Sequence, residues 1–206
     1  MSKVAIIIET RKHKALEFVL NNVMSNLPNE WNLQIFHGID NIEYIQNIIN
    51  NNSLLSSIKN KITLSNLNIK EVTQEDSSKI MLSESLWESV VGETVLYFEC
   101  DSLLCPNSKY KVDDFIDFDY IGGYWGNDLY SLDEKYPVVM NGGISIRKKS
   151  FMLDIIKNKW ETYIEKGGNP CEDYFVSHYI KNKPTTRQVL SFSIDCGYIL
   201  PLDMKI

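Results

Sequence analysis

A chain of 206 residues with 44% hydrophobic and 23% charged residues has the make-up of one soluble globular domain with a sizeable core. Its net charge of −6 and dispersed Lys and Arg residues exclude a nucleic-acid surface built on bulk electrostatics. The four cysteines, at 100, 105, 171 and 196, form no Cys-x-x-Cys pair and are joined by only three histidines. That pattern argues against a structural zinc motif and against a secreted disulfide framework.

The first fourteen residues, MSKVAIIIETRKHK, contain an apolar run too short for a signal peptide or a membrane span. A soluble, cytoplasmic protein is expected. Val4 to Ile8 is the uninterrupted apolar pattern of a central parallel strand. After the polar break Glu9–Lys14, apolar residues from Leu16 to Leu27 recur at helical spacing, and Pro28 and Asn29 end the helix. Leu33 to His37 reads as a second strand, parallel to the first.

Residues 40–52 predict a second helix with Asn41 as its cap, whereas 50–78 is polar and without a clear period. Ile80 to Val90 predicts one helix leading into the buried strand Val95–Phe98. That strand ends in Glu99-Cys100-Asp101. Carboxylates beyond the carboxyl end of a strand in an open α/β sheet can hold a divalent cation against a phosphate. Asp and Ser there can equally serve as turn formers.

Lys111 to Tyr120 alternates acidic and aromatic residues and breaks at Gly122-Gly123; Tyr124 to Pro137 reads as a loop. Within 138–147, Asn141-Gly142-Gly143 interrupts a strand, marking either close backbone approach to a ligand or a bulge. The Arg147-Lys148-Lys149 cluster is too short for a binding arm. Ser150 is placed to cap a long helix that ends at Gly167-Gly168. Glu172-Asp173 then opens a short helix whose apolar residues point inward, which leaves both carboxylates near a loop mouth. On their own, acidic residues at a helix start complement its dipole. Tyr120, Tyr124 and Trp125 either stack on a ligand or pack beneath a loop.

Taken in order, IIETR (7–11), the helix around Leu86-Trp87, LYFECDSLLC (96–105), FDYIGGYW (118–125), NGGISIR (141–147) and CEDYF (171–175) resemble the GT-A class of nucleotide-sugar-dependent glycosyltransferases. They are most similar to a small glycosyltransferase-like family of domains of unknown function, known from fungi, bacteria and giant viruses. The resemblance implies an α/β fold: a single GT-A-like, Rossmann-related domain over residues 1–206, with a mixed, mainly parallel sheet flanked by helices. It implies a hexosyltransferase-like enzyme of glycan biosynthesis, moving a sugar from a nucleotide-sugar donor, by preference a UDP-sugar, to a glycan, protein or small-molecule hydroxyl acceptor. No nucleic acid and no membrane span are expected.

Residue roles follow from the same resemblance. Thr10 and Arg11 would lie at the nucleotide end of the cleft. Asp101, with Glu99, would hold a divalent cation, Mn²⁺ or Mg²⁺, although the motif reads Glu-Cys-Asp where the class has Asp-x-Asp. Asn141, Gly142 and Gly143 would line the donor-sugar side. Asp173, beside Glu172, stands at the position of the catalytic base in inverting members. Asp195, Asp203 or His178 would complete the metal site, His178 reading more simply as a core or surface histidine. Two rivals remain: a catalytically inert nucleotide-sugar or glycan-binding module on the same fold, and a nucleotidyltransferase. The latter would carry a Gly-rich phosphate loop after its first strand, and residues 9–14 contain no glycine.

Overall fold

Strand β1 (Lys3–Glu9) buries Val4, Ala5, Ile6 and Ile7 completely, as a strand paired on both edges and covered on both faces must. This is a computed structural model that describes residues 1–125 and 139–194. Helix α1 (Leu16–Asn26) follows with Leu16, Val19, Leu20 and Val23 inward, and β2 (Trp31–His37) pairs parallel with β1. Helix α2 (Ile42–Asn51) begins where expected, but the Asn41 side chain does not cap it. Instead Asn41 Oδ1 accepts from Gly38 N (2.9 Å), and Nδ2 donates to the carbonyls of Glu9 (2.8 Å) and Arg11 (3.1 Å). That bridge ties the exits of β1 and β2 together.

The polar stretch that follows holds α3 (Ser53–Ser57), the strand β3 (Ile62–Asn66) and α4 (Gln74–Met81). The single helix expected over 80–90 is in fact two. Ser83 accepts from Leu86 N and caps α5 (Glu84–Ser89), while the Trp87 indole donates to Met81 O at 2.7 Å across the break. Strand β4 (Thr94–Phe98) is entirely buried. After a 3₁₀ turn at Val112–Phe115 come β5 (Tyr120–Tyr124) and β6 (Met140–Lys148).

Gly122-Gly123, expected to break the chain, lie inside β5, and the β5–β6 register shifts between them. Helix α6 (Lys149–Glu165) begins one residue before Ser150, whose hydroxyl donates to Glu93 and does not cap. Gly167 leaves α6 at φ +81°, a conformation that favours glycine. Helices α7 (Glu172–Tyr179) and α8 (Thr186–Phe192) complete the described fold. Among the described residues no helix is long and apolar enough to cross a membrane. Residues 126–137 of the expected loop, with Asp195, Cys196 and Asp203, lie outside the described residues.

The strand order is β3-β2-β1-β4-β6-β5. The first four strands are parallel, and β6 runs antiparallel to both of its neighbours. This is the mixed, mainly parallel sheet the sequence predicts. The winding reverses between β1 and β4, because β2 and β3 build outward on one side while β4 starts the other. Loops leaving two such strands diverge and open a crevice at their carboxyl ends. Glu9 ends β1 there, and Glu99 follows the end of β4.

Candidate functional site

The chain leaving β1 forms the first wall. Arg11 grips Glu9 with a two-pronged fork, Nε to Oε1 and Nη2 to Oε2, each 2.9 Å, and its own backbone N–H adds a third bond at 2.8 Å. Burial disfavours the Glu9 carboxylate, but the Arg11 hydrogen bonds outweigh it and hold its pKa below the usual range. The Arg11 side chain is 53% exposed, and a guanidinium has five N–H donors, so several remain directed to solvent or a ligand. Thr10 is buried, and its hydroxyl accepts from Val72 N at 2.9 Å. Thr10 therefore closes the wall and has little freedom to rearrange.

The second wall is the turn after β4. Glu99 accepts from the Tyr97 hydroxyl at 2.9 Å, Asp101 is exposed, and Ser102 donates to Gly143 O at 3.0 Å. Burial raises the Glu99 pKa, the Tyr97 bond offsets part of that, and the charges of Asp101 and Glu172 raise it further. A cavity of about 420 Å³ is lined by Glu9, Thr10, Arg11, Glu99, Cys100 and Asp101. A second, of about 230 Å³, is lined by Glu99, Asp101, Asn141 and Gly143. Glu99 and Asp101 are thus the partition between the two. Two carboxylates there offer the oxygen donors a hard divalent cation prefers, and a cation would relieve the charge crowding on half-desolvated Glu99. The donor set fits such an ion.

The third wall is the irregular stretch of β6. Gly122 pairs with Ser145 but Gly123 pairs with Asn141, so Gly142, Gly143 and Ile144 bulge from the β5 ladder. Of the two sequence alternatives the bulge is realised, and the backbone there lies close against side chains of neighbouring elements. A Cβ on Gly142 would lie 2.5 Å from both Arg147 Nη2 and Asp173 Oδ1; one on Gly143 would lie 3.0 Å from Asn141 Oδ1 and 3.4 Å from Glu99 Oε2. The bare backbone is what allows β4, β6 and α7 to meet.

Behind the bulge, Arg147 is fully buried and ion-paired to Glu172. Its Nε donates to Ser145 Oγ at 2.9 Å, and its guanidinium lies 5.1 Å from the Tyr120 ring, 5.5 Å from Tyr97 and 5.9 Å from Trp87. Asp173 is pressed against this pair, and its Oδ1 is buried without a hydrogen-bond partner. Burial pushes its pKa well above the carboxylate range, the Glu172 charge adds to the rise, and Arg147 offsets only part.

The expected site residues therefore fall into two groups. Thr10, Arg11, Glu99, Asp101, Asn141 and Gly143 line the cavities. Gly142 and Glu172 are buried behind them, with half-buried Asp173 alongside. The expectation that both carboxylates stand at a loop mouth is corrected for Glu172, which is buried against Arg147, while Asp173 beside it is half-buried with its Oδ1 enclosed. Tyr120 and Tyr124 are core, whereas Trp125 is half-buried in an edge contact with Tyr174, centroids 5.8 Å apart. His178 is a surface residue.

Sequence reasoning missed Arg147, reading it only as part of a basic cluster. The available signal was alternation: Ser145 and Arg147 share one face of β6, with Ile144 and Ile146 on the other. An arginine two positions from a buried serine in a strand is a candidate for burial with a partner.

Residues 61–204 match the model of a family described as a protein of unknown function, DUF5672. No curated protein matches the chain. Among solved structures, the chain is similar to the galactosyltransferase LgtC in complex with donor and acceptor sugar analogues, at 11% identity over 86% of this chain and 70% of that one, TM-score 0.56. It is also similar to the apo form of the glycosyltransferase GlyE of Streptococcus pneumoniae TIGR4, at 9% identity over 90% and 44%, TM-score 0.51. A third is the mannosyltransferase PcManGT from Pyrobaculum calidifontis in complex with GDP-Man and Mn²⁺, at 8% identity over 75% and 46%, TM-score 0.50. The chain spans about half the length, or less, of several such structures. At these identities the likeness establishes the GT-A fold.

Proposed function

Since the chain belongs to the DUF5672 family, whose description names no activity, we propose a function from the cleft itself: transfer of a sugar from a nucleotide-sugar donor to a hydroxyl acceptor. The observation that carries this reading is the pair Glu99 and Asp101 partitioning two cavities at the β1/β4 switch point. The larger cavity, with Thr10 and Arg11, takes the nucleotide; the smaller, with Asn141 and Gly143, takes the sugar; the diphosphate crosses the partition. The free N–H groups of Arg11 donate to phosphate oxygens. Glu99 and Asp101 would hold a divalent cation, which when bound neutralises charge on the departing diphosphate.

In the reaction, the acceptor oxygen bonds to the anomeric carbon as the bond from that carbon to the diphosphate breaks, and the acceptor proton passes to a carboxylate. We assign that proton to Asp173, which favours inversion. The ion pair of Arg147 with Glu172 fixes the first turn of α7 and orients Asp173. A positioned general base contributes about 10²–10⁴-fold. Because the Asp173 pKa is raised, its base form gains population as pH rises, and turnover is expected to climb with pH beyond the ordinary carboxylate range.

The second reading, an inert nucleotide-sugar-binding module, is favoured by one observation: Asp173 has its Oδ1 enclosed and lines neither cavity. A screen of nucleotide sugars, UDP-sugars first, separates the two, with nucleotide release measured with and without Mn²⁺ alongside binding by calorimetry. Release stimulated by an acceptor supports transfer; binding without release supports the module; neither removes both.

A further inference from the structure

Three side chains that the proposed transfer chemistry leaves unused as ligands meet on the nucleotide side of the partition. Ligand atoms of Glu9, His13 and Cys100 all lie within 4.8 Å of one another. They come from the last residue of β1, the loop before α1 and the turn after β4, so no sequence spacing announces them. Glu9 is buried, His13 and Cys100 are half-buried, and all three line the larger cavity, which gives an ion from solvent a path to them.

We propose that Glu9, His13 and Cys100 form a binding site for a zinc-type divalent cation, with water from the cavity in the fourth position. One oxygen, one nitrogen and one sulfur donor is a set for a borderline transition metal; magnesium and manganese prefer oxygen alone. Three protein ligands and an open position is the usual form of an accessible zinc site. The Arg11 fork does not stand in the way. Glu9 Oε1 is filled by Arg11 N and Nε, but Oε2 takes only Nη2, and a carboxylate oxygen accepts two partners. On binding, the cation takes the place of the Cys100 thiol proton. Binding forms the sulfur–metal bond, breaks the S–H bond and releases one proton to solvent. The charges of Glu9, thiolate, Arg11 and the cation then sum to one positive, faced across the cavity by Glu99 and Asp101.

The test needs no sugar donor and stands apart from the transfer reaction. Cobalt(II) is titrated into the reduced protein while the near-ultraviolet sulfur-to-cobalt charge-transfer band is recorded, and zinc is then added. The expected result is a saturable band, bleached by zinc but not by Mg²⁺ or Mn²⁺. Cys100→Ser abolishes the band, and His13→Gln weakens cobalt affinity by about tenfold or more. The variant Cys105→Ser/Cys171→Ser/Cys196→Ser keeps the band. Circular dichroism of each variant establishes that the fold is retained. Absence of the band from the folded wild-type protein, or its persistence in folded Cys100→Ser, overturns the proposal.

Discussion

Asp101 and Arg11 stand on the two exits that form the crevice, and both can be tested one side chain at a time. Asp101 is exposed and lines both cavities. Asp101→Ala is expected to leave the melting temperature unchanged while weakening nucleoside diphosphate binding in the presence of Mn²⁺, read by calorimetry. An unfolded variant would instead mark Asp101 as a turn former. Arg11 contributes in two ways. Losing a charge-assisted hydrogen bond to a phosphate costs about 1.5–3 kcal/mol, so Arg11→Ala is expected to raise the donor Kd by roughly one to two orders of magnitude. The same change strips buried Glu9 of its cation, so the Glu9 carboxylate pKa should rise, measurable by carboxyl carbon NMR. Unchanged donor affinity with a shifted Glu9 would make Arg11 a structural partner only.

At the scale of elements, the bulge in β6 is the joint on which the site depends. A ladder slip there leaves Gly142 to Ile144 outside the β5 pairing and brings their backbone against Glu99 on one side and α7 on the other. Gly142→Ala drives a methyl group into Arg147 and Asp173. Overpacking of that kind costs about 1–3 kcal/mol, so a lowered denaturation midpoint is expected, with donor binding impaired even where the protein stays folded. Gly123→Ala, whose new Cβ meets nothing closer than 3.5 Å, serves as the control for stability. Helix α7 is held at the other end of this joint by a charge, and that ties it to the stability of the whole chain.

For the molecule as a whole, the Arg147–Glu172–Asp173 cluster couples stability to pH. Breaking a buried ion pair from one side costs about 3–5 kcal/mol, because the remaining charge is stranded. Glu172→Gln is therefore expected to be strongly destabilising in chemical denaturation, in contrast to the mild effect a carboxylate at a loop mouth would have. Asp173 acts with the opposite sign. Its folded pKa is raised above the unfolded value, so its stabilising contribution is complete below about pH 4 and is lost as pH rises toward the folded value. Asp173→Asn keeps a hydrogen-bond donor beside Glu172 without a titrating proton. The variant should be more stable than the wild type at neutral pH, by a margin that shrinks on acidification, and should bind donor while losing turnover. A margin that does not change with pH would show that Asp173 is ionised in the fold.

The uninterrupted runs at Val4–Ile8 and Val95–Phe98 and the helical spacing after Leu16 were legible in the sequence, because burial on both faces or on one stripe leaves a local period. So were the carboxylates at the end of β4, since a strand end can be read from its own residues. The split of the 80–90 helix at Ser83 and the true partners of Asn41 and Ser150 could not be read so. Each depends on whether a polar side chain bonds its own helix or a distant group such as Glu9 O or Glu93. The same holds for Arg147: the two residues after it are basic, while its ion-pair partner lies 25 positions away. The sequence by itself determined the α/β class and the residues at the strand ends, since both rest on local pattern. Only the tertiary structure decided that Glu99 and Asp101 divide two cavities and that the Asp173 Oδ1 is enclosed beside an ion pair. Those outcomes depend on strand order and on the β6 register slip, which bring together residues that no local period connects.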